Sequence, residues 1–218
     1  MKAPKYRRVS AAARRQSLIE ATLKCLRRHG HDGVSVRRIG AMAGVSPGLI
    51  NHHFPSTSTL IAAAYQTLAR SLLDSIRRYA QDTSADPRVR LRRFFQASFA
   101  PELLDPQLFA SWLVFWSMAA HSSAVRRVHD RTYAEYRATL ESLLRELRRS
   151  SKPVFGVRQA AIGLTALLDG LWLEASLNAR TFRPADAVSL CEHWVDALCA
   201  GARPRLRTTA SGGRKSGG

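Results

Sequence analysis

Residues 35–60, SVRRIGAMAGVSPGLINHHFPSTSTL, contain two helix signals that are separated by a short turn. Ser35 is a good N-cap for the first helix, and Gly44 supplies the positive φ that a tight turn needs. Ser46 and Pro47 form a strong start signal for the second helix, because serine caps well and proline fits the first helical turn. The stretch therefore predicts one helix, a tight turn, and a second helix of only about two turns.

The rest of the sequence continues in helical patterns, rich in alanine, leucine and arginine, without any useful length of β-branched alternation. Apolar residues recur at helical spacing, and Asp-Pro pairs at 86–87 and 105–106 mark two further helix starts. The sequence therefore predicts an all-α fold of about nine helices. We predict four divisions: a flexible basic arm at 1–9, a three-helix unit at 10–56, a larger helical body at 57–200 and a flexible basic tail at 201–218.

The formal net charge of the 218 residues is +18, and half of this excess lies in the first sixty. Residues 1–60 carry 11 basic and two acidic side chains, whereas residues 61–200 carry 18 and 14. A basic end on a nearly neutral body favours a polyanionic partner, with nucleic acid as the commoner choice and an anionic membrane surface as the rival. An arginine-rich proteome would explain part of the excess, since the body is rich in arginine too.

The predicted helix, turn and helix form the helix-turn-helix pattern, whose second helix protrudes and fits the major groove of DNA. In that groove each base pair presents a distinct set of donors and acceptors. Asn51 is the best candidate for reading a base, because an amide can make two hydrogen bonds to adenine. Gly48 lets the backbone approach DNA closely, and Arg37 and Arg38 are expected to project toward DNA from the preceding helix.

His52 and His53 end the predicted recognition helix, and we expect them to contact phosphates, which position a protein without specifying a sequence. A solvated helix end is the alternative, and a zinc site is disfavoured because adjacent histidines on a helix point apart. Arg14 and Arg15 suit the start of the first helix, beside the basic arm. The predicted DNA-binding set is Ser35, Arg37, Arg38, Ser46, Pro47, Gly48, Asn51, His52, His53 and Thr57.

The segment resembles the DNA-binding segment of TetR-family transcriptional repressors over a long and specific pattern. Three positions depart from that pattern. Ser35 keeps the hydroxyl cap of the usual threonine, His53 stands where tyrosine is common, and Thr57 replaces a lysine that reaches a phosphate. Thr57 can cap a helix and offer backbone amides, but it carries no charge. The residues that match are Val36, Ile39, Ala43, Gly44, Val45, Ser46, Gly48, Ile50, Phe54 and Leu60.

Two aromatic groups stand in the helical body. Trp112, Phe115 and Trp116 have the spacing of one helix face, and Asp169 and Trp172 share a face of a later helix. An acid in a nearly all-apolar helix is costly unless it is paired or faces a cavity, and tryptophan faces beside a carboxylate suit a quaternary ammonium or amine. The alternative is an aromatic core with Asp169 bonded internally. The predicted ligand-binding set is Trp112, Phe115, Trp116, Tyr136, Asp169 and Trp172.

The stretches SWLVFW at 111–116 and GLTALLDGLWLEASL at 163–177 resemble the C-terminal domain of the choline-responsive BetI-type branch of the TetR family. The resemblance implies a repressor whose effector is choline and whose regulated genes make glycine betaine. Glu174 stands where an arginine is often found and would make the site more acidic. Related domains also serve regulators of other small molecules, so a TetR-type regulator of efflux or catabolic genes with a different ligand is the alternative.

The same resemblance implies that the last two helices form a four-helix interface with a second subunit. The sequence agrees, because the helix at about 155–179 is apolar on too many sides for a monomer. The last helix adds an apolar stripe of Leu190, Trp194, Val195 and Leu198. Such a homodimer would present its recognition helices about 34–36 Å apart, as a palindromic DNA operator requires.

The sequence predicts neither an enzyme nor a cofactor-binding protein. Seven histidines are scattered, and GxSxG, HExxH, P-loop and GxGxxG motifs are absent. Cys25, Cys191 and Cys199 lack the CxxC spacing of a zinc site and suit small buried positions. With neither a run of about 18 apolar residues nor a signal peptide, we expect a cytoplasmic protein without a membrane partner. A non-specific binder of membranes or nucleic acid is the third hypothesis.

Overall fold

The computed structural model describes residues 10–30, 34–80, 86–151 and 155–200, and within these ranges the chain forms helices and no strand. The prediction of an all-α fold is therefore confirmed. The predicted basic arm and basic tail lie outside the described residues. The nine helices of the described ranges are α1 (Ala11–His29), α2 (Val36–Ala43), α3 (Pro47–His53), α4 (Thr57–Ala80), α5 (Pro87–Ser98), α6 (Pro106–His121), α7 (Ser123–Ser151), α8 (Val157–Leu177) and α9 (Pro184–Cys199).

Capping side chains begin α5 and α6 at the positions that the sequence predicts. A carboxylate oxygen of Asp86 accepts from the Arg88 N–H at 2.7 Å, and one of Asp105 accepts from the Gln107 N–H at 3.0 Å. In both helices a proline follows the cap and takes the first helical position, where a missing N–H costs nothing. Local sequence therefore sets both starts.

Three apolar clusters hold the helices together. The first joins α1, α2 and α3 to the start of α4. The second joins the end of α1 to α4, α6 and the start of α7, and the third fills the space among α4, α5, α7, α8 and α9. Fully buried members of the first two clusters include Leu18, Ile39, Leu60, Leu26, Tyr65 and Phe115.

The three-helix unit shares its core with the helical body. The predicted boundary at 56/57 coincides with the start of α4, but the side chain of Leu26 on α1 is buried in the same cluster as Tyr65 of α4. Because protein interiors are close-packed, a change in the packing of α4 or α6 acts directly on α1. The three-helix unit and the helical body are therefore packed against each other through this shared cluster.

Helix α8 is packed on one side and open on the other. Ala161 and Leu164 are buried, whereas Ile162 is 49% exposed and Leu177 is 65% exposed. Among the described helices α8 is the single helix whose length and hydropathy alone would suit a membrane span, a test that core helices of soluble proteins also pass. Asp169 interrupts the apolar sequence of α8, so the helix contains no continuous run of about 18 apolar residues.

Helices α8 and α9 approach each other closely at a glycine. A Cβ on Gly163 would lie 2.7 Å from Cζ2 of Trp194, which is closer than real side chains come. The absence of a side chain at Gly163 therefore lets the indole of α9 lie against the backbone of α8.

Candidate functional site

The turn between α2 and α3 is made by Gly44, which adopts the left-handed conformation with φ 65° and ψ 37°. The Val45 N–H after it donates to the Gly40 carbonyl at 2.9 Å. Gly40 permits this close return, since a Cβ there would lie 2.8 Å from the Val45 carbonyl oxygen. Sequence reasoning did not single out Gly40, because its role depends on a contact across the turn.

Helix α3 covers the core of the three-helix unit and turns one face outward. Ile50 is buried beneath it, and the Ser46 hydroxyl accepts from the Leu49 N–H at 3.4 Å, which starts the helix as predicted. The predicted base-reading residue therefore lies on the outward face, because the exposed residues of this segment are Ser46, Pro47, Gly48, Asn51 and His52.

The two histidines at the end of α3 differ in exposure. His52 is exposed and His53 is half-buried, and their ring centroids lie 5.3 Å apart in an edge-to-face arrangement. The expectation that the two side chains point apart is therefore wrong, since their rings are in edge-to-face contact. Among the described residues no group of three potential metal ligands includes them.

The exposed side chain of Arg15 on α1 contacts the end of α3. Its guanidinium donates to the carbonyl of His53, and its Cζ lies 4.1 Å from the centroid of the Phe54 ring. The side chain thereby fastens α1 to the end of α3 through a hydrogen bond and a cation–π contact. Arg15 thus lies in the early part of α1, as the sequence predicts. Arg37 and Arg38 are exposed on α2, where the Ser35 hydroxyl caps the helix by accepting from the Arg38 N–H.

Helix α4 begins next to the exposed end of α3. Thr57 is its first residue and is half-buried, but Ser56 is the cap. The Ser56 hydroxyl accepts from the Thr59 N–H at 3.2 Å, and the Thr59 hydroxyl accepts from the Ser56 N–H at 3.1 Å. The reciprocal pair satisfies two backbone donors, so the suggestion that Thr57 caps the helix is wrong.

A cavity of about 90 Å³ lies among α4, α5, α6, α7 and α8, several times the space that one water needs. Five of the six predicted ligand-binding residues line it. Phe115 does not: it is fully buried and stacks on Tyr65 with ring centroids 4.5 Å apart. Viewed down α6, Phe115 is rotated from Trp112 by about 60° in one sense and Trp116 by about 40° in the other. Trp116 therefore faces the cavity with Trp112, whereas Phe115 is turned toward α4. The lining residues are Ala69, Leu72, Leu73, Ile76, Ser98, Leu103, Leu108, Trp112, Trp116, Thr132, Tyr133, Tyr136, Leu168, Asp169 and Trp172.

Three tryptophans form an aromatic wall of the cavity. The rings of Trp116 and Trp172 lie 6.1 Å apart at 77°, and those of Trp112 and Trp116 lie 6.5 Å apart at 46°. The Trp172 indole N–H donates to the carbonyl of Leu103 at 2.9 Å, which holds that ring in place. Such a wall can attract a cation through the ring quadrupoles.

Asp169 is the one charged side chain in the described lining of the cavity. Burial raises the pKa of its carboxyl to about 6, against the opposing effects of a hydrogen bond from Tyr133 and the charge of Arg137. The carboxylate is therefore mostly ionised at neutral pH. Sequence reasoning missed Tyr133, although its position three residues before Tyr136 on α7 places both on one helix face. It also missed Thr132 and Ser98.

Glu174 lies outside the cavity. Its side chain is exposed, and it is not among the lining residues. Five residues along an α-helix correspond to a rotation of about 140°, which takes Glu174 away from the direction of Asp169. The expectation that Glu174 makes the site more acidic is therefore wrong.

Sequence comparisons match both parts of the chain to regulators. The family model for bacterial regulatory proteins of the tetR family matches residues 18–64, and the model for the C-terminal part of BetI-type transcriptional repressors matches residues 87–200. The HTH-type transcriptional regulator BetI of Burkholderia thailandensis is 31% identical over 86% of this chain and 94% of its own. The regulator of the same name from Paraburkholderia phymatum is 32% identical over 86% and 93%.

Solved structures share the fold. A protein of Pseudomonas aeruginosa PAO1 is 48% identical, with a TM-score of 0.84 over 91% of this chain and 96% of that one. A Saccharomonospora viridis protein that was crystallised with choline is 22% identical, with a TM-score of 0.71 over 85% and 96%. At the latter identity the likeness concerns the fold alone.

Proposed function

Because the chain belongs to the TetR family of transcriptional regulators and carries a BetI-type repressor domain, we propose that it binds a palindromic operator as a homodimer and that a choline-like cation releases it. It is a regulator and not an enzyme. Because the DNA that it would regulate lies in the cytoplasm, we propose that the protein acts there.

The observation that carries the effector proposal is the single carboxylate beside three tryptophans in an otherwise uncharged cavity. Apolar and aromatic walls favour methyl groups, and Asp169 supplies the one negative charge that balances a buried cation. A Saccharomonospora viridis protein of the same fold was crystallised with choline, so this fold can accommodate such a ligand. A regulator of efflux or catabolic genes with a different cationic ligand is the second candidate, because the same walls would accept one.

The dimer proposal rests on the exposed apolar side chains of α8 and α9. Ile162 and Leu177 project from α8, and Leu190, which is 48% exposed, projects from α9. An exposed apolar surface on two adjacent helices is the usual mark of a protein interface. If α8 and α9 of two subunits pair about a two-fold axis, each subunit can place its α3 in one half-site of a palindromic operator.

We propose that the DNA-facing residues are the exposed members of the predicted set on α2 and α3. Asn51 is the base reader, while Arg37, Arg38 and His52 contact phosphates. The outward position of these four side chains supports this assignment. Phosphate contacts from arginine also make binding depend steeply on salt.

Packing between the cavity and α1 provides a route for release. Trp112 lines the cavity and meets Tyr65 edge to face at 5.2 Å, and Tyr65 shares a cluster with Leu26 of α1. A ligand that shifts Trp112 therefore disturbs the packing that supports the DNA-binding unit. Couplings are typically about 1–3 kcal/mol, whereas a full switch needs about 5.5 kcal/mol, so we expect partial release at saturating effector.

Gel retardation tests the operator and effector together. A palindromic fragment from upstream of the chain's own gene should be retarded in excess competitor DNA, and saturating choline should release part of it. Equal affinity for unrelated DNA would contradict operator recognition. Thermal shifts with choline, betaine aldehyde and polyamines then separate the ligand classes, and a shift with polyamines alone would favour the second candidate.

Leu190→Glu is expected to raise the dimer dissociation constant at least tenfold, because it would bury a charge against an apolar partner surface. Sedimentation equilibrium measures the constant. Tyr79→Glu is the matched control, since Tyr79 is also exposed, at 59%, but lies on α4. Equal dissociation constants for the two variants would place the interface elsewhere.

A further inference from the structure

Tyr133 is held on α7 by the residues one turn before and one turn after it. The ring of His129 lies 4.3 Å from the Tyr133 ring, centroid to centroid, and Cζ of Arg137 lies 6.0 Å from its centroid. These residues stand at i−4 and i+4, so they flank the phenol along the helix. The ring is therefore packed against its neighbours along the helix, and Tyr133 is one of the residues that line the cavity.

Tyr133 of α7 lines the cavity together with Trp116 of α6 and Asp169 of α8. Its hydroxyl interacts with the Trp116 indole N–H and with the Asp169 carboxylate, and the latter interaction lowers the pKa of Asp169. Because the indole supplies a donor, the phenol proton is directed at the acid. Asp169 is thereby tied to one tryptophan of the aromatic wall through a single intervening hydroxyl.

We propose that Tyr133 determines the charge specificity of the effector cavity by positioning Asp169 as an ionised acceptor beside the tryptophans. An unsatisfied buried carboxylate takes up a proton and becomes neutral, whereas a donated hydrogen bond favours the charged form. The hydroxyl therefore lets the cavity distinguish a cation from a neutral molecule of the same shape. This inference rests on the proposed function for its ligand and on the geometry of α6, α7 and α8 for its residue.

The other ionisable groups near Asp169 do not take over the interaction of the Tyr133 hydroxyl with its carboxylate. Burial raises the pKa of Tyr65, Tyr133 and Tyr136 above the usual range, so all three stay neutral near pH 7. Burial lowers the pKa of His129, which is hydrogen-bonded to the Tyr65 hydroxyl at 3.1 Å. The ionisable groups that act on Asp169 or its neighbours are Tyr65 of α4, His129, Asp130, Tyr133, Tyr136 and Arg137 of α7, and Cys191 of α9.

A titration without ligand tests the positioning role. Tyr133→Phe keeps the ring between its helix neighbours and removes only the hydroxyl. The carboxyl ¹³C resonance of Asp169, assigned by its loss in Asp169→Asn, should titrate near pH 6 in the wild-type protein and about one pH unit higher in Tyr133→Phe. Tyr79→Phe is the control, because Tyr79 is exposed on α4 and is not among the residues that line the cavity, and it should leave the midpoint unchanged. Equal midpoints in wild type and Tyr133→Phe would overturn the proposal.

Calorimetry with choline and its neutral analogue 3,3-dimethyl-1-butanol tests specificity. At pH 6 a midpoint one unit higher leaves about a tenth of Asp169 ionised instead of half, so Tyr133→Phe should bind choline about fivefold more weakly. Binding of the neutral alcohol should not change, and equal weakening of both ligands would overturn the specificity role. A wild-type protein that binds neither would overturn the proposed effector class, while the ligand-free titration decides on Tyr133 independently.

Discussion

Asp169→Asn is expected to weaken choline binding about 100-fold. The substitution preserves the size of the side chain and removes the one charge of the described cavity lining. Truncating one member of a buried charge pair typically costs about 2–5 kcal/mol, and a 100-fold loss corresponds to about 2.7 kcal/mol. Calorimetry at pH 7.5 measures the loss, since Asp169, with a pKa of about 6, is ionised there in the wild-type protein.

Glu174→Gln provides the matched control for this loss. It removes the same charge from the same helix, but from the exposed side that does not line the cavity. Choline affinity should therefore stay within about twofold of wild type. Similar losses of affinity in both variants would show that the negative charge of α8 as a whole, and not contact with Asp169, attracts the cation. An unchanged affinity in Asp169→Asn would place the cation outside this cavity.

The pH dependence of stability gives Asp169→Asn a second readout. The pKa of Asp169 is raised on folding from its ordinary value near 4 to about 6, so the folded state binds the proton more tightly than the unfolded state does. The stability that this group contributes is full below pH 4 and is lost as the pH rises to about 6. The asparagine variant cannot ionise and should be the more stable protein above pH 6, with the difference vanishing toward pH 4.

Choline should reverse this trend. A cation prefers the ionised carboxylate, so its stabilising effect should be present above pH 6 and lost as the pH falls below that value. Thermal unfolding of both proteins with and without choline measures the two opposite slopes. A wild-type shift of equal size at pH 5 and pH 7.5 would argue that the ligand does not contact Asp169.

Helix starts were predictable from sequence because capping is decided within a few consecutive residues. Ser46 followed by Pro47 and Asp105 followed by Pro106 each contain the whole signal, and both helices begin there. At α4 the same reasoning chose the wrong hydroxyl, because Ser56 and Thr57 are neighbours that can both cap. The reciprocal bonds between Ser56 and Thr59 favour the earlier residue, and these depend on side-chain geometry.

The cavity was only partly predictable from the sequence. Helical spacing indicates which side chains share a helix face, but it does not indicate which other helix that face contacts. The sequence identifies Trp112, Trp116 and Asp169, because an acidic residue and tryptophans within apolar helices indicate a ligand cavity. Phe115 lies on nearly the same face of α6 as Trp112 and Trp116, yet it packs against Tyr65 of α4. The sequence of α6 does not indicate where α4 lies. Tyr133 was missed for the converse reason, since its role depends on hydroxyl contacts to two other helices.

Asn51→Ala is expected to lower operator affinity about 100-fold. Asn51 is exposed on the outward face of α3, where its amide can make two hydrogen bonds to adenine. A bidentate contact of this kind contributes about 1–3 kcal/mol, and a two-fold dimer would lose it at both half-sites. Fluorescence anisotropy with operator variants measures the affinity at fixed salt. Gln96→Ala, which removes an exposed amide from α5, is the control and should bind as wild type does.

The form of the Asn51→Ala loss separates base reading from phosphate contact. A lost base contact lowers affinity for the operator, leaves non-specific DNA binding unchanged, and relaxes the preference at one base pair of each half-site. A lost phosphate contact lowers binding to every sequence and reduces the slope of affinity against salt. Arg37→Ala on α2 should behave in the second way. If Asn51→Ala instead weakens all DNA equally with a reduced salt slope, α3 lies on the backbone and the base reader must be sought elsewhere on its outward face.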